Sequence, residues 1–539
     1  MKYENRRSTI YLPILLAVAI VGGILIGLQL HKADNNQNFA IYPKADKLNG
    51  VINYIESEYV DTVSRHDMVE VAIPAILKSL DPHSVYIPAK DVQRMNEPLE
   101  GNFEGIGVTF NMPNDTVVIM TTVSGGPSEQ LGILPSDRII TIDDTLVAGV
   151  NMRDEEIISR LKGPRGTAVN VGIQRKDEPE LLDFTIIRDK IPLISVDVAY
   201  MITDEIGYIK ISKFSRTTYQ EFLEGIEKLK ALGLKKLILD LRGNGGGYMD
   251  AATNIADELL EKGKMIVYTE GKARARDEFF STERESFTHG DILVLIDEMS
   301  ASASEILAGA IQDNDRGTIM GRRSFGKGLV QEPLMLSDGS ALRLTIARYY
   351  TPTGRCIQKP YINGTEEYYS DLHQRYVNGE YERIDSTVFP DSLRYVTPGG
   401  KYVYGGGGIM PDIFVPLDTA GVSDYFIKVR NRGLIYRFSF EYTDINRDKI
   451  DHFNHYRELI TYLESQNLLK QFIDYAEEKG IPPNSEDLRE SGEIIHTQIL
   501  AYISRNLFEN DGFFPVFHAI DNTLEKAISF LEKESTKTS

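Results

Sequence analysis

The 539-residue chain contains a single cysteine, Cys356. One cysteine forms no internal disulfide, and neither a C-x-x-C pair nor a Cys/His zinc pattern occurs. Basic charge is also short. There are 59 Lys plus Arg against 79 Asp plus Glu, a net charge of −20. Such a field repels phosphate backbones, so no nucleic-acid partner is expected. The nucleophile elbow G-x-S-x-G and the zinc motif H-E-x-x-H are both missing. Nine histidines are scattered, none in an obvious active-site turn. Disorder is excluded in turn, because 42% apolar and 26% charged residues suit a folded protein.

What is there begins with one long apolar run. Residues 9–30 carry no charge, and about 20 apolar residues suffice to cross a bilayer. Lys2, Arg6 and Arg7 precede the run, and basic flanks stay cytoplasmic. This predicts residues 1–8 in the cytoplasm, a single-pass inner-membrane anchor at 9–30, and the bulk of the chain extracytoplasmic, or periplasmic. The exit Gly27-Leu-Gln-Leu-His-Lys-Ala-Asp34 offers no A-x-A-like site, which favours an uncleaved anchor. A cleaved signal stays open as the alternative. No cysteine follows, so a lipoprotein anchor is excluded.

The length allows three or four domains. Residues 31–45 read as a polar tether. Residues 46–100 read as a helical region, with Leu48, Val51, Ile52 and Ile55 on one stripe and Val69, Ala72, Ile73, Ile76, Leu77 and Leu80 on another. Residues 101–190 read as a β-rich module with strands near 117–121, 138–142 and 169–173 and one helix at 154–161. From 191 to 420, buried-type strands at 237–241 and 292–296 alternate with helices, which argues an α/β core. Residues 361–404 show little periodicity and read as an insertion. Residues 421–539 turn helical again.

Chemistry concentrates in the α/β core. Ser300-Ala-Ser302-Ala-Ser304-Glu305 lies between a buried strand and a helix, where an α/β sheet exposes side chains to ligands. A helix amino terminus there favours a developing oxyanion. The same serines fit a capping box, Ser302-x-x-Glu305. Gly321-Arg-Arg-Ser-Phe-Gly326-Lys327-Gly328 nearly matches a phosphate-binding loop. Gly328, however, stands where Ser or Thr must hold magnesium, and the following residues read as strand rather than helix. A desolvated lysine has another use, as a general base. Gly243-Asn-Gly-Gly-Gly247 follows a buried strand, and its N–H groups suit either an anion nest or a flexible loop.

Together these motifs resemble the carboxyl-terminal processing peptidases, or tail-specific proteases. The resemblance rests on Leu80-Asp-Pro-His-Ser84 with Tyr86, Asp240-Leu-Arg-Gly-Asn-Gly-Gly-Gly247, Ser300 to Glu305, Ser324-Phe-Gly-Lys-Gly-Leu-Val-Gln331, Tyr350-Thr-Pro-Thr-Gly-Arg355 and Ile409-Met-Pro-Asp412, in order. It implies a PDZ domain over 101–190 and a ClpP/crotonase-like serine protease core over 191–420; with the membrane helix, the helical amino-terminal region and the helical extension over 421–539 read from the sequence pattern alone, the whole is a multidomain α/β protein. The resemblance implies Ser302 as nucleophile, Lys327 as base and Gln331 as the residue orienting it. Ala303 and Gly246 would supply the oxyanion hole. Gly105, Ile106, Gly107 and Val108 would form the loop that holds a substrate's terminal carboxylate. No metal and no cofactor are implied. The partners would be protein substrates with free carboxyl-terminal tails, with the terminal helices available for a homo-oligomer or an activating partner. Two departures stand out: Ser128 where Ala is usual, and Ser136 where the family has Gly. A PDZ scaffold on an inactive protease core is the alternative, and a retinoid or lipid carrier a further one.

Overall fold

The computed structural model describes residues 8–33, 47–176, 178–383 and 391–538. The chain divides into two units, 1–76 and 77–539. In the first, the apolar run forms the helix Ser8–Ala33. The expected anchor is only partly described, since the side chains of 9–12, 15 and 27–30 lie outside the described residues, as does most of the tether. Among the described residues no helix is long and apolar enough to cross a membrane. The helix Lys47–Glu58 follows. Its apolar stripe is not a buried one: Ile52 is covered, but Leu48 and Val51 are exposed. Periodicity marks a helix face without saying whether anything packs on it.

The second unit opens with the end of the helix Arg65–Lys78, which stops three residues short of Asp81-Pro82. A β-rich module follows. Its sheet runs Val108–Asn111, Val117–Thr122, Arg138–Ile142, Ala168–Gln174, Leu182–Ile187, all antiparallel neighbours. The helix Asp154–Leu161 closes it by burying Ile157 and Leu161. Val117, Ile119, Ile139, Ile142 and Ile173 fill the interior. The chain enters through Asn102–Gly105 and leaves through Asp189–Pro192. These two strands pair antiparallel, so the module is clasped at its neck.

The α/β core is built on a six-stranded sheet. Its strands run Val196–Met201, Ile206–Ile211, Lys236–Asp240, Asp291–Ile296, Thr318–Gly321, Ile413–Phe414. All neighbours are parallel except the first pair. Parallel strands are apolar on both faces because both faces are covered. Ile209, Leu237, Leu239 and Val294 pack with residues of the helices Thr218–Ala231, Met249–Leu259 and Ala303–Asp313. Tyr208, Ile238, Leu293 and Leu295 pack on the other side with Leu524, Ala527 and Leu531 of the helix Asn522–Thr538. The last helix of the chain is therefore part of the core. The remaining carboxyl-terminal helices, from Asp424 to Phe517, surround a separate interior that includes Phe438, Leu459, Phe472 and Ile499.

A second sheet carries the hairpin Leu329–Met335 with Ala341–Tyr350, and Val85–Ile87 pairs with the latter. The 361–404 segment is more regular than its sequence suggested. It contains the helix Thr365–Val377 and the paired strands Arg394–Val396 and Tyr402–Tyr404.

Candidate active site

The strand Asp291–Ile296 ends at the loop 297–302, and the helix Ala303–Asp313 begins there. The three serines at this junction, Ser300, Ser302 and Ser304, are not equivalent. Ser300 and Ser304 are fully buried, and their hydroxyls donate to the Leu241 carbonyl at 2.8 Å and the Asn244 carbonyl at 2.9 Å. They bind the loop to the glycine segment. Ser302 is only partly covered and sits at the helix N-cap with φ 55° and ψ −113°. A non-glycine residue held at positive φ stores strain of order 1–3 kcal/mol, and such residues cluster at functional sites.

Gly246, at φ 99°, lies directly against Ser302. A Cβ built on it would come within 2.7 Å of the Ser302 Cβ and 3.0 Å of the Ala303 nitrogen. Only glycine leaves room there. The Ala303 N–H belongs to the first helical turn, whose N–H groups have no intrahelical acceptor. The Gly246 N–H is engaged, donating to Asn244 Oδ1 at 2.8 Å. Asn244 is itself buried and donates through Nδ2 to the Ile211 carbonyl at 2.9 Å.

Lys327 lies in the loop 322–328, which leads into the strand Leu329–Met335 as read from the sequence, not into a helix. Two groups join this loop to Ser302. Glu305 is fully buried; its Oε2 accepts the backbone N–H of Ser302 at 2.8 Å and of Lys327 at 2.9 Å. Its Oε1 accepts the Ser324 hydroxyl at 2.5 Å and the Gly326 N–H at 2.7 Å. The Tyr349 hydroxyl shares its hydrogen between the carbonyls of Ser302, at 3.1 Å, and Lys327. Burial lowers the Lys327 pKa, and the nearby Arg343 cation adds to the effect; Glu305 and Asp81 oppose it. A lysine so placed loses its proton more readily than a solvated one. Burial raises Glu305 to about 7, against the pull of its four donors.

Gln331 donates through Nε2 to Thr345 Oγ1 at 3.3 Å. On one continuous strand, residues four apart such as Lys327 and Gln331 would share a face; here they do not, because Lys327 precedes the strand and a register shift falls between Val330 and Gln331. The Thr345 hydroxyl continues to Asp81 Oδ1 at 3.1 Å. Asp81 also accepts the Ser84 hydroxyl at 2.6 Å and the N–H of His83 at 2.8 Å. His83 contacts the Tyr368 hydroxyl at 2.9 Å. Burial, with Lys327 next, lowers the His83 pKa to about 4, so its ring is neutral at neutral pH.

In the β-rich module, Ile106, Gly107 and Val108 line a cavity of about 420 Å³ with Phe103, Ile158 and Leu161. Gly107 has φ 73°. Gly105 ends the preceding strand and does not line the cavity. The two sequence departures act here. The buried Ser128 hydroxyl donates to the Ile106 carbonyl at 2.6 Å, bracing the loop. Ser136 takes φ 73°, the conformation a glycine would adopt freely.

Residues 205–368 match peptidase family S41, 105–186 match the PDZ domain, and 425–509 match a family of unknown function, DUF8443. A carboxy-terminal-processing protease of Bartonella bacilliformis is 34% identical over 346 residues, 63% of this chain and 78% of that protein. The carboxy-terminal processing protease CtpB of Bacillus subtilis is 32% identical over 359 residues, 64% of this chain and 74% of that one. The chain belongs to the carboxy-terminal processing proteases. It is a serine peptidase with a PDZ domain. Among solved structures, the photosystem II D1 C-terminal processing protease is 27% identical, covering 58% of this chain and 90% of that one at a TM-score of 0.33. A peptide-bound PDZ domain of the Vibrio cholerae carboxy-terminal protease is 32% identical, covering 17% of this chain and 99% of that one at a TM-score of 0.16.

Sequence reasoning missed the parts played by Glu305, Tyr349 and Tyr368 in this site, among others. Glu305 was legible only as a helix cap. Tyr349 and Tyr368 carry no motif, and each reaches the site through the fold alone.

Proposed function

We propose that this protease cleaves extracytoplasmic proteins with a Ser302/Lys327 dyad after its PDZ domain has bound their carboxyl-terminal tails. The observation that carries the dyad is the double tie between the two residues: Glu305 and Tyr349 each hydrogen-bond the backbones of both. Ser302 Oγ attacks the peptide carbonyl while Lys327 Nζ takes its proton. The Oγ–C bond forms, the C–N bond breaks, and Lys327 returns the proton to the leaving amine. Water then resolves the acyl-enzyme, with Lys327 again as base. The Ala303 N–H and a glycine-loop N–H hold the oxyanion. Because the Gly246 N–H serves Asn244, the loop must turn before that group can donate to substrate. Gln331 acts at a distance, through Thr345 and then Asp81, whose charge opposes the lowering of the Lys327 pKa.

The apolar groove beside Ile106 and Gly107 suits an apolar last residue with a free carboxylate. The extracytoplasmic site rests on the uncharged run 9–30, whose described side chains, such as Ile14, Val18 and Ile24, are exposed. Curated relatives named as proteases do not favour the inactive scaffold. The test follows cleavage of an unfolded protein with an apolar carboxyl terminus by the parent chain, Ser302→Ala and Lys327→Ala. Loss in both variants, and weakening on amidation of the tail, supports the reading. Activity surviving Ser302→Ala removes the nucleophile assignment.

A further inference from the structure

The tail groove does not end with the PDZ domain. A carboxylate held at Ile106–Gly107 lies at the start of the strand Val108–Asn111. A tail added to this edge therefore runs antiparallel to it, with its earlier residues toward Asn111. At roughly 3.3 Å per residue, the strand accompanies about four tail residues. The next ones meet a second cavity, of about 360 Å³. One wall is Asn111, Met112 and Pro113; the other is Arg437, Tyr475 and Lys479 of the carboxyl-terminal helices. Asp154 lines both cavities, so the two adjoin.

The helical domain is fastened in this position. Arg138 pairs with Asp444 at 2.7 Å and Lys176 with Asp448 at 3.1 Å. The charges of the second cavity are unequally answered. Its Glu441 accepts the Tyr475 hydroxyl at 3.2 Å. Its Asp154 opens a helix, where free N–H groups offset a negative charge. Arg437 and Lys479 are exposed; Lys479 Nζ lies over the Tyr475 ring at 5.2 Å, and among the described residues neither cation is in an ion pair.

We infer that the helical domain completes the tail groove, and that Arg437 and Lys479 bind acidic side chains five to seven residues before the substrate's carboxyl end. This gives the 425–509 segment a role in substrate selection, and it rests on the tail-binding reading of the PDZ domain.

The test measures Kd by fluorescence anisotropy on the full chain carrying Ser302→Ala, so that nothing is cleaved. The probes are a four-residue peptide with an apolar free carboxyl end, two ten-residue peptides sharing that end with Glu or Lys at positions five to seven from the terminus, and amidated forms of each. The Glu peptide should bind about fivefold more tightly than the Lys peptide, as expected for two partly exposed ion pairs. The preference should shrink with added salt. In Arg437→Glu/Lys479→Glu it should reverse, while the four-residue peptide keeps its Kd. Equal binding of the two long peptides, with the short one still requiring its carboxylate, overturns the inference and leaves the tail reading standing. A Glu preference that survives the double variant also overturns it. If amidation changes no Kd, the tail reading falls and the inference with it.

Discussion

Glu305 holds the backbone N–H of Lys327 at 2.9 Å from one turn into the helix that Ser302 caps. A residue legible as a helix cap thus sets the position of the base loop. Glu305→Gln keeps the shape but presents an amide to Ser324 and Gly326, which are both donors. Leaving a buried donor unmatched costs about 1–3 kcal/mol. The variant should melt lower and lose more than tenfold in kcat, with a smaller change in KM. The pH dependence has a definite sign. A carboxyl raised to about 7 in the folded state holds its proton more tightly than in the unfolded chain. Its contribution is full below the ordinary glutamate range and is lost as pH rises toward 7. Melting temperature against pH should therefore fall less steeply over that window in Glu305→Gln than in the parent. Equal slopes would remove this role.

Lys327 should set the acid limb of the kcat/KM profile, because only its neutral form accepts the Ser302 proton. Burial and then Arg343 lower its pKa, whereas Asp81 raises it. The limb should lie below the pH at which an ordinary lysine titrates. Arg343→Met should move it to higher pH and Asp81→Asn to lower pH. Opposite displacements are the signature of two charges acting on one group. Shifts in the same direction would mean that the variants act through folding.

The contrast between Glu305 and Tyr368 shows what a sequence carries. The strand 292–296 was legible as a continuous apolar run, buried along its length, and the helix 154–161 buries Ile157 and Leu161 four residues apart. Ser302 and Lys327 were legible because local motifs flank them. Tyr368 sits 285 residues from His83 in the chain, within a segment of little periodicity, yet its hydroxyl meets the His83 ring. No local pattern encodes a contact between residues so far apart. The exposed Leu48 shows the converse: a face that periodicity marks but burial does not use.

Ser136 gives a test on the PDZ domain. Its φ of 73° is costly for any residue with a Cβ. Ser136→Gly should stabilise the domain by up to about 1 kcal/mol, the gain being reduced by the greater freedom glycine brings to the unfolded chain. Its amide is not lost, since the backbone N–H still donates to the Ile119 carbonyl at 2.8 Å. Denaturant midpoints of parent and variant would show it, and a lower midpoint in Ser136→Gly would refute the strain argument.

Ser128 tests the same domain from the loop side. Ser128→Ala removes a buried hydroxyl that donates to the Ile106 carbonyl at 2.6 Å, leaving that acceptor with the Ser128 N–H at 3.3 Å. Stability should drop by about 1 kcal/mol. Affinity for a free-carboxylate peptide should also weaken, because the loop that presents its N–H groups loses a brace. Unchanged affinity beside lowered stability would confine Ser128 to the fold.

The last helix offers a separation of stability from catalysis. Leu531 is buried against the core sheet, far along the helix from Asp521. Asp521, just before that helix, takes both terminal nitrogens of Arg242, at 3.0 and 2.7 Å. Arg242 in turn binds Asp240 and immediately precedes the glycine loop. Leu531→Ala should cost about 2–5 kcal/mol by cavity formation, while kcat at a temperature where the protein stays folded is unchanged. Asp521→Asn should cost stability too, because Arg242 loses half of its carboxylate partners in a buried setting. It should also lower kcat, since the strand end that aims the glycine loop at Ser302 is no longer held from both sides. The pair is read by melting temperature and kcat together. If Asp521→Asn lowers only the melting temperature, the carboxyl-terminal helix covers the sheet and has no hold on the oxyanion loop.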